Sequence, residues 1–238
     1  MGRFEPLEYS NEFYRGSSLN NLYVGGVDEA GRGALAGPVA VSLVIFSPEF
    51  FKQANQDSIE KQFLNQLDDS KKLNPVLREK LLPIVNQLSL FAKCVMVSSK
   101  TIDEIGINVA TELAILRLIN RFESWSKITQ VGRKTELVLL VDGNYQLNQV
   151  RKDSRVAKLR TEIKGDSRIA SIAAASILAK VLRDRRMKRF DRYIQGYDFS
   201  SHKGYGTVKH RQAIHKLGQS QLHRKSYQTQ LSVFDNLS

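Results

Sequence analysis

The chain is expected to fold as an α/β protein, a mixed sheet covered by helices, on three observations. Two Val-, Leu- and Ile-rich stretches, Asn21 to Asp28 and Val39 to Phe46, lie either side of a loop holding Gly31, Gly33, Gly37 and Pro38, as antiparallel neighbours do. Further apolar runs then alternate with stretches of helical period, the pattern of strands joined through helices. Finally, Glu136-Leu-Val-Leu-Leu-Val-Asp142 is apolar almost without a break, as a strand covered on both faces must be.

Taken in order, residues 1–20 mix charged, polar and aromatic side chains and are expected to form a loose tail. They hold no apolar core of a secretory signal, and Pro6 stands where a myristoylation motif requires Ser or Thr. The first strand runs into Asp28 and Glu29, then Gly31-Arg32-Gly33. Ser47 to Leu67, polar and rich in Gln and Asn, is expected to be a mobile surface excursion. Pro75 opens a helical pattern through Leu77, Leu81, Ile84 and Leu88, with Asp69 or Asn74 as its cap. Leu90 to Ser98 alternates and supplies a third strand.

Thr101-Ile-Asp-Glu104 fits a capping box ahead of Ile107, Ala110, Ala114, Leu118 and Phe122 at helical spacing. Ser124 to Thr135 is expected to turn the chain, carrying the only tryptophan, Trp125. Gly143 breaks the strand that ends at Asp142, and a basic loop with Arg151, Lys152, Arg155, Lys158 and Arg160 leads to a short strand candidate, Glu162 to Gly165, ending at Asp166. A long helix from about Ser167 to Tyr193 has alanines for close packing and a solvated basic face of Lys180, Arg183, Arg185 and Arg186. In the last segment Ser201 to Thr207 is a glycine-rich loop, Thr207 caps a helix through Leu217, and Gly218 ends it. The expected division is a tail at 1–20, a catalytic body at 21–195 and a helical extension at 196–238.

At 238 residues the length suits one large domain, or one domain with a small appendage. The net charge of +12 and a pI of about 9.8 favour a polyanionic partner such as nucleic acid. Cys94, the single cysteine, excludes an internal disulfide and a multi-cysteine zinc site, and is expected to be a small core residue. His202, His210, His215 and His223 lack zinc-type spacing and are expected at the surface. No run is long and apolar enough to span a bilayer, which sets the expectation of a cytoplasmic protein. The absence of a P-loop pattern counts against an ATPase.

The chemistry is carried by acids at strand ends: Asp28 with Glu29, Asp142, and Asp166. In an open α/β sheet the ligand lies beyond the carboxyl ends of the parallel strands, so such acids converge although distant in sequence. Gathered together they repel unless cations lie between them, and two divalent ions about 4 Å apart are the usual device for phosphodiester cleavage. Oxygen ligands point to Mg²⁺ or Mn²⁺. Singly, Asp142-Gly143 also suits a turn, Asp166 a helix cap and Tyr205 a filler of a local gap; adjacent Asp28 and Glu29 are not explained by a turn. Neighbouring strand residues point to opposite faces, so Glu29 joins Asp28 only if the strand turns there or it acts through its main chain or a water. Gly31, Arg32 and Gly33 let the backbone approach a ligand, and the arginine suggests phosphate.

In order along the chain stand Asp28-Glu-Ala-Gly-Arg-Gly33, Gly37-Pro-Val39, Asp69-Ser-Lys-Lys-Leu73, Val141-Asp-Gly143, Lys164-Gly-Asp166, Ser171-Ile-Ala-Ala-Ala-Ser-Ile-Leu-Ala-Lys180, Gly204-Tyr-Gly-Thr207 and Leu222-His-Arg-Lys-Ser-Tyr227. This set closely resembles the bacterial ribonuclease HII family over roughly residues 21–228. The resemblance implies a ribonuclease H-like mixed five-stranded sheet flanked by helices, with a small C-terminal helical extension. It implies a monomer that cleaves RNA in RNA/DNA hybrids and incises 5′ of single ribonucleotides in duplex DNA, using Mg²⁺ or Mn²⁺ as a pair of ions. Asp28, Glu29, Asp142 and Asp166 match the metal-binding acids, with Asp28 the best candidate to bridge the ions. Gly31, Arg32 and Gly33 match the loop that reads the ribose 2′-hydroxyl, and Tyr205 the tyrosine that stacks on the sugar. Lys71 and Lys72 are placed as phosphate contacts. Ala34, where proline is usual, and an insertion at residues 53–67 depart from the family pattern. The rivals are another metal nuclease with these acids, such as a type 3 ribonuclease H or a resolvase, and a non-catalytic basic nucleic-acid-binding protein.

Overall fold

A computed structural model describes residues 22–54, 57–67, 74–129 and 135–227. Among these residues one sheet forms, with the order β3-β2-β1-β4-β5, from β1 (Leu22–Ala30), β2 (Val39–Ile45), β3 (Phe91–Val97), β4 (Glu136–Asp142) and β5 (Val156–Glu162). β1, β2 and β3 are antiparallel neighbours, whereas β4 lies parallel to both β1 and β5. Parallel pairing needs a crossover, and helices supply it. The helices are α1 (Pro48–Gln53), α2 (Ile59–Leu67), α3 (Pro75–Leu88), α4 (Ser99–Ile105), α5 (Ile107–Thr129), α6 (Asn148–Lys152), α7 (Ala170–Tyr193), α8 (Phe199–His202) and α9 (Val208–Leu217).

Strand alternation distributes side chains to two cores. Tyr23 and Val27 of β1 and Leu137, Leu139 and Val141 of β4 face α4 and α5, meeting Ile102, Ala114, Leu118 and Phe122. Val24, Val138 and Leu140 face the other way, onto Ile169 and Ile172 at the start of α7. The expectation that β4 is covered on both faces therefore holds. At Gly26 a Cβ would fall 2.2 Å from the Ser171 carbonyl carbon, so only glycine lets α7 lie this close to β1.

Several local expectations are corrected. The described residues of the 47–67 stretch are no loose excursion, because α1 and α2 bury Phe50, Phe51, Phe63, Leu64 and Leu67 against α3 and the alanine face of α7. Each such side chain stabilises by about 1.5–3 kcal/mol, enough to hold a segment whose other residues are polar. The cap ahead of α4 is Ser98, whose Oγ accepts from Thr101 N–H at 3.2 Å, and Gly106 separates α4 from α5. α5 runs on through Ser124 to Thr129, since Trp125 packs edge-on against Tyr23 at 5.8 Å and tilted against Phe122 at 5.7 Å. The basic stretch after α6 is the edge strand β5, so the proposed strand Glu162 to Gly165 is displaced. Lys164 takes a left-handed φ of 56°, and Gly165–Ser167 form a 3-10 turn.

Pro75 with Asn74 as cap, and Thr207 as cap of α9 with Gly218 after it, are as expected. Cys94 is only half-buried, on the edge strand β3. Three of the histidines expected at the surface are buried: His202, His210 and His223 pack with Tyr197 and Phe199 beneath the C-terminal segment. His202 and His210 stack at 4.1 Å, and His210 Nε2 meets His223 Nε2 at 3.1 Å. Each of the three imidazoles has both ring nitrogens bonded within this aromatic core. Burial holds the pKa of His210 and His223 down to about 4. The extension is tied to the body by Leu35 N–H donating to the Gly204 carbonyl at 2.8 Å and by an Ala36–His223 bridge. Among the described residues no helix is long and apolar enough to cross a membrane.

Candidate active site

β1 and β4 run parallel in the register Val27–Val141, which sets the next residues, Asp28 and Asp142, side by side at the carboxyl ends of two central strands. Both lie on the α7 face by strand alternation. Asp28 is 4% exposed; its Oδ1 accepts from Glu29 N–H at 2.7 Å, and the Ser176 hydroxyl of α7 also bonds to it. Burial first, then the charges of Glu29 and Asp142, push the Asp28 carboxyl well above the usual range. Asp142 Oδ1 accepts from Gly165 N–H at 2.7 Å, so the turn after β5 holds it in place.

Glu29 projects to the opposite face, as alternation requires, yet lines the same cleft because the strand ends one residue later. Its Oε1 accepts from Tyr145 Oη at 2.6 Å. Burial, then the Glu29 charge and this bond, hold the Tyr145 phenol firmly protonated. Tyr145, on the turn after Asp142, also lies under the Arg32 guanidinium, 4.9 Å from ring centre. Nothing in its local pattern singled it out; the role comes from β1 and β4 being neighbours.

The cleft, of about 340 Å³, is lined by Asp28, Glu29, Asp142, Gly31–Gly33 and Tyr205, together with Ala30, Arg78, Ser176 and Lys180. Arg78, on the first turns of α3, was not foreseen, whereas Ser176 and Lys180 sit in a motif already quoted. Asp166 is buried in the 3-10 turn beside Gly165 and is not among the residues lining the cleft. Lys71 and Lys72 lie outside the described residues. Tyr205 is half-buried, its ring within 5.3 Å of Lys180 Nζ and 5.2 Å of the Arg183 guanidinium.

Two buried arginines shape the Gly31–Pro38 loop. Arg183, expected on a solvated face, is fully buried and donates from Nε to the Pro38 carbonyl at 2.9 Å and from Nη2 to that of Ala36 at 3.2 Å. Arg224 donates to the carbonyls of Gly31 at 2.7 Å, Arg32 at 2.7 Å and Gly37 at 2.9 Å. Tyr227 Oη adds a bond to the Arg32 carbonyl at 2.9 Å. A trans peptide points its N–H opposite to its C=O, so inward carbonyls at 31 and 32 turn the N–H groups of Arg32 and Gly33 the other way. Gly31 has φ of 89°, and a Cβ there would fall 1.8 Å from Arg183 Nε.

A buried carboxylate crowded by two more is unfavourable unless positive charge joins it, and an all-oxygen set suits a hard divalent cation. Among the described residues no group of three or more His, Cys, Asp or Glu is gathered to hold an ion. Glu29 and Asp142 are instead held by Tyr145 and Gly165. Carboxylate oxygens suit a divalent cation by their chemistry, although the three acids are not drawn together around one point among the described residues.

Carboxylates at the ends of the central parallel strands of such a mixed sheet, opening into a cleft with basic and glycine-rich walls, define an enzyme of the ribonuclease H class. Solved structures share the fold. The PCNA:RNase HII complex from Archaeoglobus fulgidus superposes with a TM-score of 0.63 at 24% identity, covering 87% of this chain and 94% of the other. Bst-RNase HIII in complex with Mn²⁺ gives 0.61 at 14% identity, covering 91% and 70%. Fold alone therefore leaves the type open, and sequence decides it. The Ribonuclease HII family model matches residues 25–230. Ribonuclease HII of Clostridioides difficile is 38% identical over 94% of this chain and 77% of its own length, and that of Chlorobium phaeovibrioides 40% over 85% and 88%. The chain belongs to the ribonuclease HII family and is a ribonuclease H enzyme.

Proposed function

We propose that this enzyme hydrolyses the RNA strand of RNA/DNA hybrids and incises 5′ of single ribonucleotides in duplex DNA, in ribonucleotide removal and RNA primer processing. The observation that carries the reading is the shared cleft of Asp28, Glu29 and Asp142 with the Gly31–Gly33 loop and Tyr205. Asp28, Glu29, Asp142 and Asp166 are assigned to hold two Mg²⁺ or Mn²⁺ ions. The chemistry supplied there is activation of a water for in-line attack on phosphorus and stabilisation of the leaving 3′-oxygen. The new P–O bond replaces the P–O3′ bond, leaving a 5′-phosphate and a 3′-hydroxyl.

The residues of the chain bind and orient. The outward N–H groups of Arg32 and Gly33 are assigned to the 2′-hydroxyl, which separates RNA from DNA at one nucleotide. Tyr205 offers its ring to the sugar beside the junction, and Lys180 and Arg78 bring positive charge to the phosphates. Lys71 and Lys72 are assigned further phosphate contacts. The body at 21–195 is taken as catalytic, with the extension at 196–238 completing the substrate groove and residues 1–20 as a tail. The working unit is a monomer, and its compartment is the bacterial cytoplasm, where such duplexes lie.

The test is a duplex carrying one ribonucleotide, incubated with each metal and mapped to the nucleotide. One cut on the 5′ side of that ribonucleotide is expected. Cleavage only within a run of ribonucleotides would make the specificity that of a type 3 enzyme and sink this reading.

A further inference from the structure

A groove of about 550 Å³ lies away from the acids, at the free edge of the sheet. β3 supplies its floor through Cys94 and Met96, and five arginines line it: Arg117 and Arg121 from α5, and Arg185, Arg186 and Arg189 from α7. Among the described residues only Arg185 meets a carboxylate, that of Glu79. Arg121 donates instead to the Cys94 carbonyl at 3.0 Å, and Arg186 lies over Phe190. Arg117 and Arg189 have no acidic partner among the described residues. The pairs 117/121 and 185/189 each place like charges four apart, which disfavours a helix. A groove that gathers unneutralised guanidinium groups at such cost suits a polyanion.

We propose that this groove is a second, non-catalytic site for the phosphate backbone of a nucleic-acid duplex. Guanidinium groups fork onto phosphate oxygens, and five arginines on two helices offer several at once. α7 serves both sites. Ser176 and Lys180 line the acid cleft, and Arg185, Arg186 and Arg189 the groove. At 3.6 residues per turn the two sets project roughly 150° apart and about 12 Å apart along the axis. Phosphates in the groove are therefore not those beside the scissile bond. The site holds a flanking or second stretch of duplex and lengthens the residence of the enzyme on DNA.

The probe is a long all-DNA duplex that offers no ribonucleotide to cut. Arg117→Gln/Arg189→Gln, both exposed and outside the cleft, should lower the slope of log affinity against log salt by about two and weaken binding about tenfold or more near 0.1 M salt. Cleavage of a short hybrid of about one helical turn should stay at the parental rate. Unchanged affinity and slope for the long duplex would overturn the proposal. So would an equal loss of cleavage on the short hybrid, which would make the groove part of the catalytic path. A poly-glutamate peptide that binds the parent and not the variant, while duplex binding is unchanged, would reassign the groove to an acidic protein. The duplex arm contains no RNA, so it can fail without touching the reading of the acid cleft.

Discussion

Arg224 offers the sharpest test of how the loop before β2 is held. It is 1% exposed and donates to the carbonyls of Gly31, Arg32 and Gly37. No carboxylate is among its bonded partners, and burial lowers its pKa to about 10, so it remains a cation at neutral pH. In Arg224→Met the Gly37 carbonyl loses both its bonds from this side chain, whereas those of Gly31 and Arg32 keep weaker support from Ala34 N–H at 3.3 Å and Tyr227 Oη at 2.9 Å. Bonds from a charged donor contribute about 1.5–3 kcal/mol each, and relief of the buried charge offsets part of the loss. A net destabilisation of about 3–5 kcal/mol follows, which at about 2–4 °C per kcal/mol lowers Tm by roughly 6–20 °C. Arg224→Lys keeps the charge but cannot fork to three carbonyls, so it should fold at 25 °C and still lose at least about tenfold in kcat/KM on a hybrid, about 1.4 kcal/mol of transition-state stabilisation. Thermal unfolding and steady-state cleavage measure the two effects. Parental stability in the methionine variant together with parental kcat/KM in the lysine variant would refute the argument that this guanidinium shapes the loop.

Asp142→Asn keeps an oxygen for Gly165 N–H but removes the charge, so cleavage should fall by at least about a thousandfold (about 4 kcal/mol) while hybrid binding and Tm persist; an active variant would remove Asp142 from the site. Gly26→Ala drives a Cβ into the Ser171 backbone, and overpacking of this kind costs about 1–3 kcal/mol; because it pushes α7 from β1, activity should fall as well, and a neutral result in unfolding and cleavage assays would refute the close approach. His210 and His223 titrate near 4 when folded and near 6.5 when unfolded, so the unfolded chain binds more protons between those values. Their contribution is complete above about pH 6.5 and is lost as pH falls toward 4, and His210→Gln should flatten that acid limb in Tm measured against pH.

Much of the fold was legible because its signals are local. β4, the Asn74 and Thr207 caps, and the span of α7 follow from residues within a turn or two of one another. The misjudged segments share another cause: whether a polar stretch packs depends on what lies against it. Phe50 and Phe63 are buried because α3 and α7 pass over them, and the stretch after α6 becomes β5 because β4 offers a free edge. Nothing in residues 47–67 or 151–162 alone supplies that partner.

By itself the sequence singled out four acids, of which Asp28, Glu29 and Asp142 line one cleft, and through its ordered motifs the family. Residue type at strand ends is a chemical fact that needs no coordinates. Only the tertiary structure decided how these acids are held. It placed Tyr145 on Glu29 and Gly165 on Asp142, buried Asp166 in a 3-10 turn, and turned Arg183 and Arg224 inward as clamps on a glycine loop. An arginine has the same formula on a solvated helix face and under a loop. Which it becomes depends on whether carbonyls more than a hundred residues away arrive to accept from its N–H groups.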